Sequence, residues 1–138
     1  MVAGQRTFAD SIARHDTTLS IGSARAGRII SGLVILFLLQ DGLLKALNLD
    51  VAVDATVELG YPEHLVVPIG LALLACTILY AIPRTAPIGA ILLTGFLGGA
   101  IATQVRLEDP WFLLPTVLAV LAWVGLVLRD TRIRSILR

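Results

Sequence analysis

Asp41 and Lys45 stand four residues apart inside a run of aliphatic side chains, in the stretch Gln40-Asp41-Gly42-Leu43-Leu44-Lys45. An ionised group inside a bilayer costs roughly 2.5 to 3.5 kcal/mol on insertion scales, so such residues have a partner or a task. On a helix the two share a face, with the acid N-terminal to the base, which is the better order for an ion pair. Asn48 extends that face. Two readings stay open. The pair neutralises itself and orients its helix while the lysine snorkels to the headgroups, or it faces a pocket where Asp41 accepts and Lys45 donates hydrogen bonds to a ligand. Tyr61 and His64 at the start of the second apolar run, and Thr103, Gln104 and Arg106 at the end of the third, complete the ligand-binding candidates.

Other chemistry finds little support. Cys76 is the single cysteine, so neither an intrachain disulfide nor a multi-cysteine metal site can form. His64 and His15 are far apart, one at a span end and one in the N-terminal segment, and no metal site is expected. No nucleophile elbow, phosphate loop or paired-carboxylate signature is present, and Ser31 and Ser135 have no visible base. A formal net charge of +1, with basic residues mostly toward the two chain ends, argues against nucleic acid as a partner.

The elements that must position these residues are membrane spans. The 138 residues are 57% hydrophobic and 15% charged, against about 25% charged in an average soluble domain, which indicates one small all-α integral membrane domain. About 20 apolar residues cross the roughly 30 Å of hydrocarbon as a helix. Such runs extend from Arg28 to Leu49, from about His64 to Ile82, from about Ile88 to Val105, and from Trp111 to Leu128. Pro83 and Pro87 stop the second and start the third. Residues 1–26 have no apolar core of signal-peptide length and are expected to form a cytoplasmic N-terminal tail, or a short surface helix with a weak face of Phe8, Ile12 and Leu19. Residues 27–138 form the four-span domain.

Arg25, Arg28, Arg84, Arg129, Arg132, Arg134 and Arg138 flank one set of span ends, whereas Asp50, Asp54, Glu58 and Glu63 fill the first loop without a Lys or Arg. The excess of basic residues in cytoplasmic loops then predicts a four-helix bundle with N and C termini cytoplasmic. Trp111 and Tyr80 suit interfacial anchors or packing residues. The first loop, spaced ambiguously between strand and helix, is expected to be a short surface helix, because an isolated strand would leave its backbone unsatisfied. In this orientation Asp41, Lys45, Tyr61, His64, Thr103, Gln104 and Arg106 all gather toward the outer side. Gly95, Gly99 and Ala102 make one face of span three nearly smooth. That small-xxx-small pattern serves either packing within the bundle or a homo-oligomer contact. If the smooth face meets span one, Arg106 reaches Asp41 or the acidic loop.

The segments Phe37-Leu38-Leu39-Gln40-Asp41-Gly42-Leu43-Leu44-Lys45, Leu59-Gly60-Tyr61-Pro62, Leu79-Tyr80-Ala81-Ile82-Pro83-Arg84-Thr85, Leu93 to Thr103, and Val105-Arg106 follow one another in a pattern that resembles the DoxX-like family of small four-helix bacterial membrane proteins. The resemblance covers about residues 28 to 134. It implies a multi-pass protein of the bacterial inner membrane and a link to redox chemistry, since the family takes its name from a thiosulfate:quinone oxidoreductase. The chain has no cysteine pair, haem-ligand pair or flavin-binding pattern, so a diffusible quinone or a redox partner protein would have to supply electrons. Many members have histidine where this chain has Gln104, which weakens any carry-over of proton transfer to that position. The leading expectation is an accessory subunit that binds a quinone-like or lipidic ligand in an outward-facing polar pocket. The alternatives are a non-catalytic membrane scaffold or assembly partner and, with less room in four spans, a proton-coupled small transporter.

Overall fold

The computed structural model describes residues 2–138. Its helices are α1 (Val2–Ala46), α2 (Asp50–Glu58), α3 (Val66–Ala81), α4 (Ala86–Arg106), α5 (Leu113–Arg129) and α6 (Thr131–Ile136), with 3-10 turns at Glu63–Leu65 and Pro110–Phe112 leading into α3 and α5. No strand occurs among the described residues, and α2 is the short helix expected in the first loop. Among the described residues four helices are long and apolar enough to cross a membrane: Ala3–Ala46, Glu63–Ala81, Ala86–Arg106 and Pro110–Arg129. Their outward faces carry exposed Ile29, Leu33 and Leu36 on α1, Leu71 and Ile78 on α3, Ile88 and Ile91 on α4, and Val117 and Val120 on α5. A belt of that extent exceeds the few hundred Å² of contiguous apolar surface usual in water, so the fold is an all-α, multi-pass membrane bundle.

The spans form a ring. α1 packs on α3 and α5, α4 packs on the same two, and the backbones do not approach across either diagonal, α1 to α4 or α3 to α5. What fills the ring axis therefore depends on side chains, and the two ends differ.

At the end where α3 and α5 terminate, helices approach until backbone meets backbone. A Cβ added to Gly89 would lie 2.2 Å from Tyr80 N, one at Gly27 2.6 Å from Arg129 N, and one at Gly125 2.5 Å from Ser31 Oγ. Lipid gives helices no hydrophobic reason to associate, so small residues that permit such contact supply the attraction through dispersion. Tyr80 is fully buried here. Its hydroxyl donates to Ala122 O at 2.6 Å and lies 3.1 Å from Ser31 Oγ, tying α1, α3 and α5 together. Arg129 donates to Tyr80 O at 2.7 Å, satisfying a carbonyl in the last turn of α3, and places its guanidinium 4.7 Å from the Tyr80 ring centroid. Of the two roles open to Tyr80, the structure gives it packing: its hydroxyl is bonded inside the bundle instead of reaching the interface.

The opposite end is shaped by helix stops. After α1, Asn48 takes φ 53°, Asn48 N donates to Lys45 O and Leu49 N to Leu44 O, a Schellman closure in which asparagine tolerates the left-handed region. The same pair of bonds ends α4, with Glu108 at φ 54°, and ends α2, with Gly60 at φ 90°. Asn48 thus ends a helix; it is exposed.

The N-terminal segment is helical from Val2 and continuous with span one. At 1.5 Å per residue α1 is about 67 Å long, more than twice the hydrocarbon thickness, so its first part projects beyond the bundle, Gly27 being the first buried α1 residue among those described. Phe8 and Ile12 are exposed along it, and the side chain of Leu19 lies outside the described residues. At the other terminus Asp130 caps α6 by accepting from Arg132 N, and Arg134 donates to Leu128 O at 2.6 Å and to Ser23 Oγ at 3.3 Å.

Candidate functional site

The α2 end of the ring is hollow. A cavity of about 910 Å³ is lined by all four spans and by α2. Its floor includes one leucine from each span, Leu38, Leu73, Leu97 and Leu118, all buried. Leu38 lies eight residues before Ala46, Leu73 seven after Val66, Leu97 nine before Arg106 and Leu118 eight after Pro110. The layer therefore sits about 10 to 14 Å along each helix from its end. Level with or just below this layer the wall carries Phe37, Phe96 and Gly95; above it come Gly99 and, nearer the helix ends, Asp41, Lys45, Thr103 and Gln104. Thr56 and Glu58 of α2 and the following Leu59 and Tyr61 border these groups.

Asp41 and Lys45 form an ion pair, Lys45 Nζ donating to Asp41 Oδ2, and both line the cavity. The Tyr61 hydroxyl is 2.9 Å from Thr103 Oγ1, and Thr103 Oγ1 donates to Gly99 O at 2.9 Å. The threonine hydrogen being committed, Tyr61 is the donor between the two, and this bond fastens the segment after α2 to α4. Gln104 Oε1 is buried and has no hydrogen-bond partner among the described residues. Its backbone carbonyl is engaged, accepting from Asp109 N in the closure of α4. The site thus offers one charged pair, one hydroxyl pair and the Gln104 side chain, whose Oε1 is closed off from the cavity, along mostly apolar walls.

Five of the seven sequence candidates, Asp41, Lys45, Tyr61, Thr103 and Gln104, line this cavity; His64 and Arg106 do not. His64 is exposed on the 3-10 turn before α3. Arg106 is exposed at the end of α4, its guanidinium 3.4 Å from the place of a Cβ on Gly60. It reaches the segment after the acidic helix and not Asp41, because α4 lies diagonally across the ring from α1 and the smooth face never meets span one. A Cβ on Gly95, Gly98 or Gly99 would meet nothing within 4 Å. Two of these glycines widen the cavity instead of drawing helices together.

Sequence reasoning missed the aromatic part of the lining, Phe37, Phe96 and Trp111, and the α2 residues Thr56 and Glu58. Phe37, Asp41 and Lys45 recur at four-residue steps, a signal that could have added the phenylalanine; nothing local foretold the return of α2 over the ring.

Four antiparallel spans and a cavity at one end, bordered by a short helix, define a multi-pass membrane protein with a pocket among its spans. The DoxX-like family matches residues 29–125, and the chain belongs to that family. The match begins after the projecting helix, ends within α5 and includes every residue of the cavity lining. No curated protein and no solved structure matches the chain.

Proposed function

We propose that this protein binds a lipid-soluble molecule with a polar head, quinone-like or lipidic, in the cavity beneath α2, and that it serves as an accessory subunit of a membrane system. The observation that carries the reading is the cavity's gradient: a leucine floor, aromatic and glycine walls, and Asp41, Lys45, Tyr61, Thr103 and Gln104 nearer the helix ends. About 910 Å³ falls within the 300 to 1,000 Å³ typical of small-molecule sites, and mostly apolar walls with a few placed polar groups are their usual lining. The ion pair orients the head group, while the leucine layer stops the ligand halfway through the bundle.

The orientation follows from charge. Arginines crowd the end opposite the cavity and carboxylates the α2 end, so both termini face the cytoplasm of a bacterial inner membrane and the cavity faces outward. Any redox role draws its electrons from a quinone or a partner protein, the chain supplying binding and orientation alone.

The test is extraction. Protein purified in mild detergent is extracted with organic solvent and analysed by mass spectrometry for quinones and lipids, alongside Asp41→Asn. A stoichiometric species in the native protein, depleted in the variant, supports the reading. Its absence from both leaves the scaffold as the better account.

A further inference from the structure

Three of the four seams between neighbouring spans are tied at the α2 end. α1 meets α3 where a Cβ on Gly70 would lie 2.6 Å from Ala46 N, the Tyr61 to Thr103 bond joins the entry of α3 to α4, and a short turn over residues 107–112 joins α4 to α5. The α1/α5 seam has its close contacts at the other end, Gly27 against Arg129 and Gly125 against Ser31. Between Ser31 and the α2 end, no hydrogen bond joins these two helices among the described residues. Phe37 of α1 and Leu114 of α5 line the cavity and are 43% and 41% exposed, whereas the floor leucines of the same cavity are at most 9% exposed. Bordering the cavity therefore does not by itself expose a side chain, and these two are reached from outside the ring. Phe37 lies one turn from Leu33, and Leu114 three residues from Val117, both on the exposed apolar belt, so belt and cavity lining are continuous on the two helices flanking this seam.

We propose that the cavity opens sideways into the bilayer through the α1/α5 seam, and that its ligand is a long-chain lipid whose head group lies beside Asp41 and Lys45 while its hydrocarbon chain runs out between Phe37 and Leu114. The inference rests on reading the cavity as a ligand site and adds the route and the chain. Phe37 lies nine residues before Ala46 and Leu114 four after Pro110, about 14 and 6 Å along their helices, so the opening falls within one half of the roughly 30 Å of hydrocarbon. The Asp41 side chain is 39% exposed on the same flank of α1, one turn from Phe37. An ionised group facing acyl chains is costly, and a polar head group seated beside it replaces those chains. An isoprenoid quinone and a phospholipid share the chemistry the seam requires, a polar head on a chain that stays in the leaflet on the α2 side.

The experiment photolabels the full chain in detergent with two probes, a decylubiquinone and a phosphatidylethanolamine, each carrying a diazirine on its chain, and maps the labelled residues by peptide mass spectrometry. Labelling that excess unlabelled probe suppresses severalfold reports the site. It is expected on Leu33 and Phe37 of α1 and on Leu114 and Val117 of α5, and the probe that produces it identifies the head group as quinone or phospholipid. Suppressible labelling confined to the floor leucines, or placed at Ile69 and Gly99 on the α3/α4 side, overturns the seam while leaving the cavity a ligand site. A second readout needs no probe. Leu114→Trp, which fills the seam, should lower the species recovered by solvent extraction severalfold, whereas Leu113→Trp, exposed outside the cavity on the same helix, should not. Equal recovery from the two variants overturns the seam even where neither probe binds. No suppressible labelling, together with no species extracted from the native protein, overturns the cavity reading as well. Should Leu114→Trp fail to fold, the labelling pattern of the native chain decides.

Discussion

At one end of the ring the glycines face neighbouring helices; at the other, Gly70 still meets the α1 backbone, but Gly95 and Gly99 on α4 face open space. Gly27, Gly89 and Gly125 each sit where an added carbon would come within 3 Å of a neighbouring helix, and around them Tyr80, Ser31, Ala122 and Leu126 are buried. Gly95 and Gly99 on the same α4 meet nothing, and the space they leave is part of the cavity. Small residues at helical spacing therefore carry two opposite meanings in one chain. Which one applies depends on what stands across the ring, a long-range property of topology.

The largest expected effect comes from breaking the filled end. Gly89→Ala places a carbon 2.2 Å from Tyr80 N and 2.5 Å from Tyr80 Cα, both backbone, so α3 and α4 must separate. Overpacking of this kind costs about 1 to 3 kcal/mol, and rigid backbone on the receiving side puts this case at the upper end, beyond the gain of about 1 kcal/mol from alanine's helix propensity. Thermal unfolding in detergent should show a large drop in melting temperature.

Tyr80→Phe comes next. It removes the hydroxyl bonded to Ala122 O and Ser31 Oγ and leaves the ring under Arg129. Hydrogen bonds between membrane helices are worth about 0.6 kcal/mol on average and up to about 1.7, and this buried hydroxyl has two partners, so a loss of about 1 kcal/mol is expected. Ligand content should not change, because a buried leucine layer separates Tyr80 from the cavity. A loss of bound ligand as large as that in Asp41→Asn would mean that the two ends are coupled.

The sharpest contrast with Gly89→Ala is Gly99→Leu. No atom opposes the new side chain within 4 Å of its first carbon, so the isobutyl group extends over the cavity lining. Stability should hold within about 1 kcal/mol, since replacing glycine in a helix returns roughly what any local crowding removes. Ligand recovered by solvent extraction should fall severalfold. A stability loss matching that of Gly89→Ala would show that the two ends are equally packed.

The fold was largely legible because it rests on local signals. Apolar run length gave the four spans, Pro83 and Pro87 the α3 to α4 turn, and the unmatched backbone of an isolated strand argued for α2 as a helix. The site was legible where polar residues interrupt apolar runs, which is why Asp41, Lys45, Tyr61, Thr103 and Gln104 could be named. It was illegible where the answer depended on neighbours. Glycine spacing cannot tell contact from void, Tyr80 looks alike as an anchor and as a buried bridge, and Arg106 can be matched to Asp41 only if the order of helices around the ring is known.

That last point supplies the smallest expected effect. Arg106 is exposed beside Gly60, Asp41 is paired with Lys45 on its own helix, and the α1 and α4 backbones do not approach each other across the ring. Residues without a shared partner behave additively within about 0.3 to 0.5 kcal/mol. A double-mutant cycle with Asp41→Asn and Arg106→Gln, read by thermal unfolding, should therefore give a coupling energy inside that limit. Asp41→Asn alone should cost under about 1 kcal/mol, because an intrahelical pair contributes only a few tenths and the amide can still meet Lys45 in the cavity. Its effect belongs instead to ligand content, and that division separates the hollow end from the filled one: changes at Asp41 should empty the cavity without loosening the bundle, and changes at Gly89 should loosen the bundle whether or not the cavity is occupied. Coupling above about 1 kcal/mol between Asp41 and Arg106 would place α4 against α1 and close the space on which the ligand reading depends.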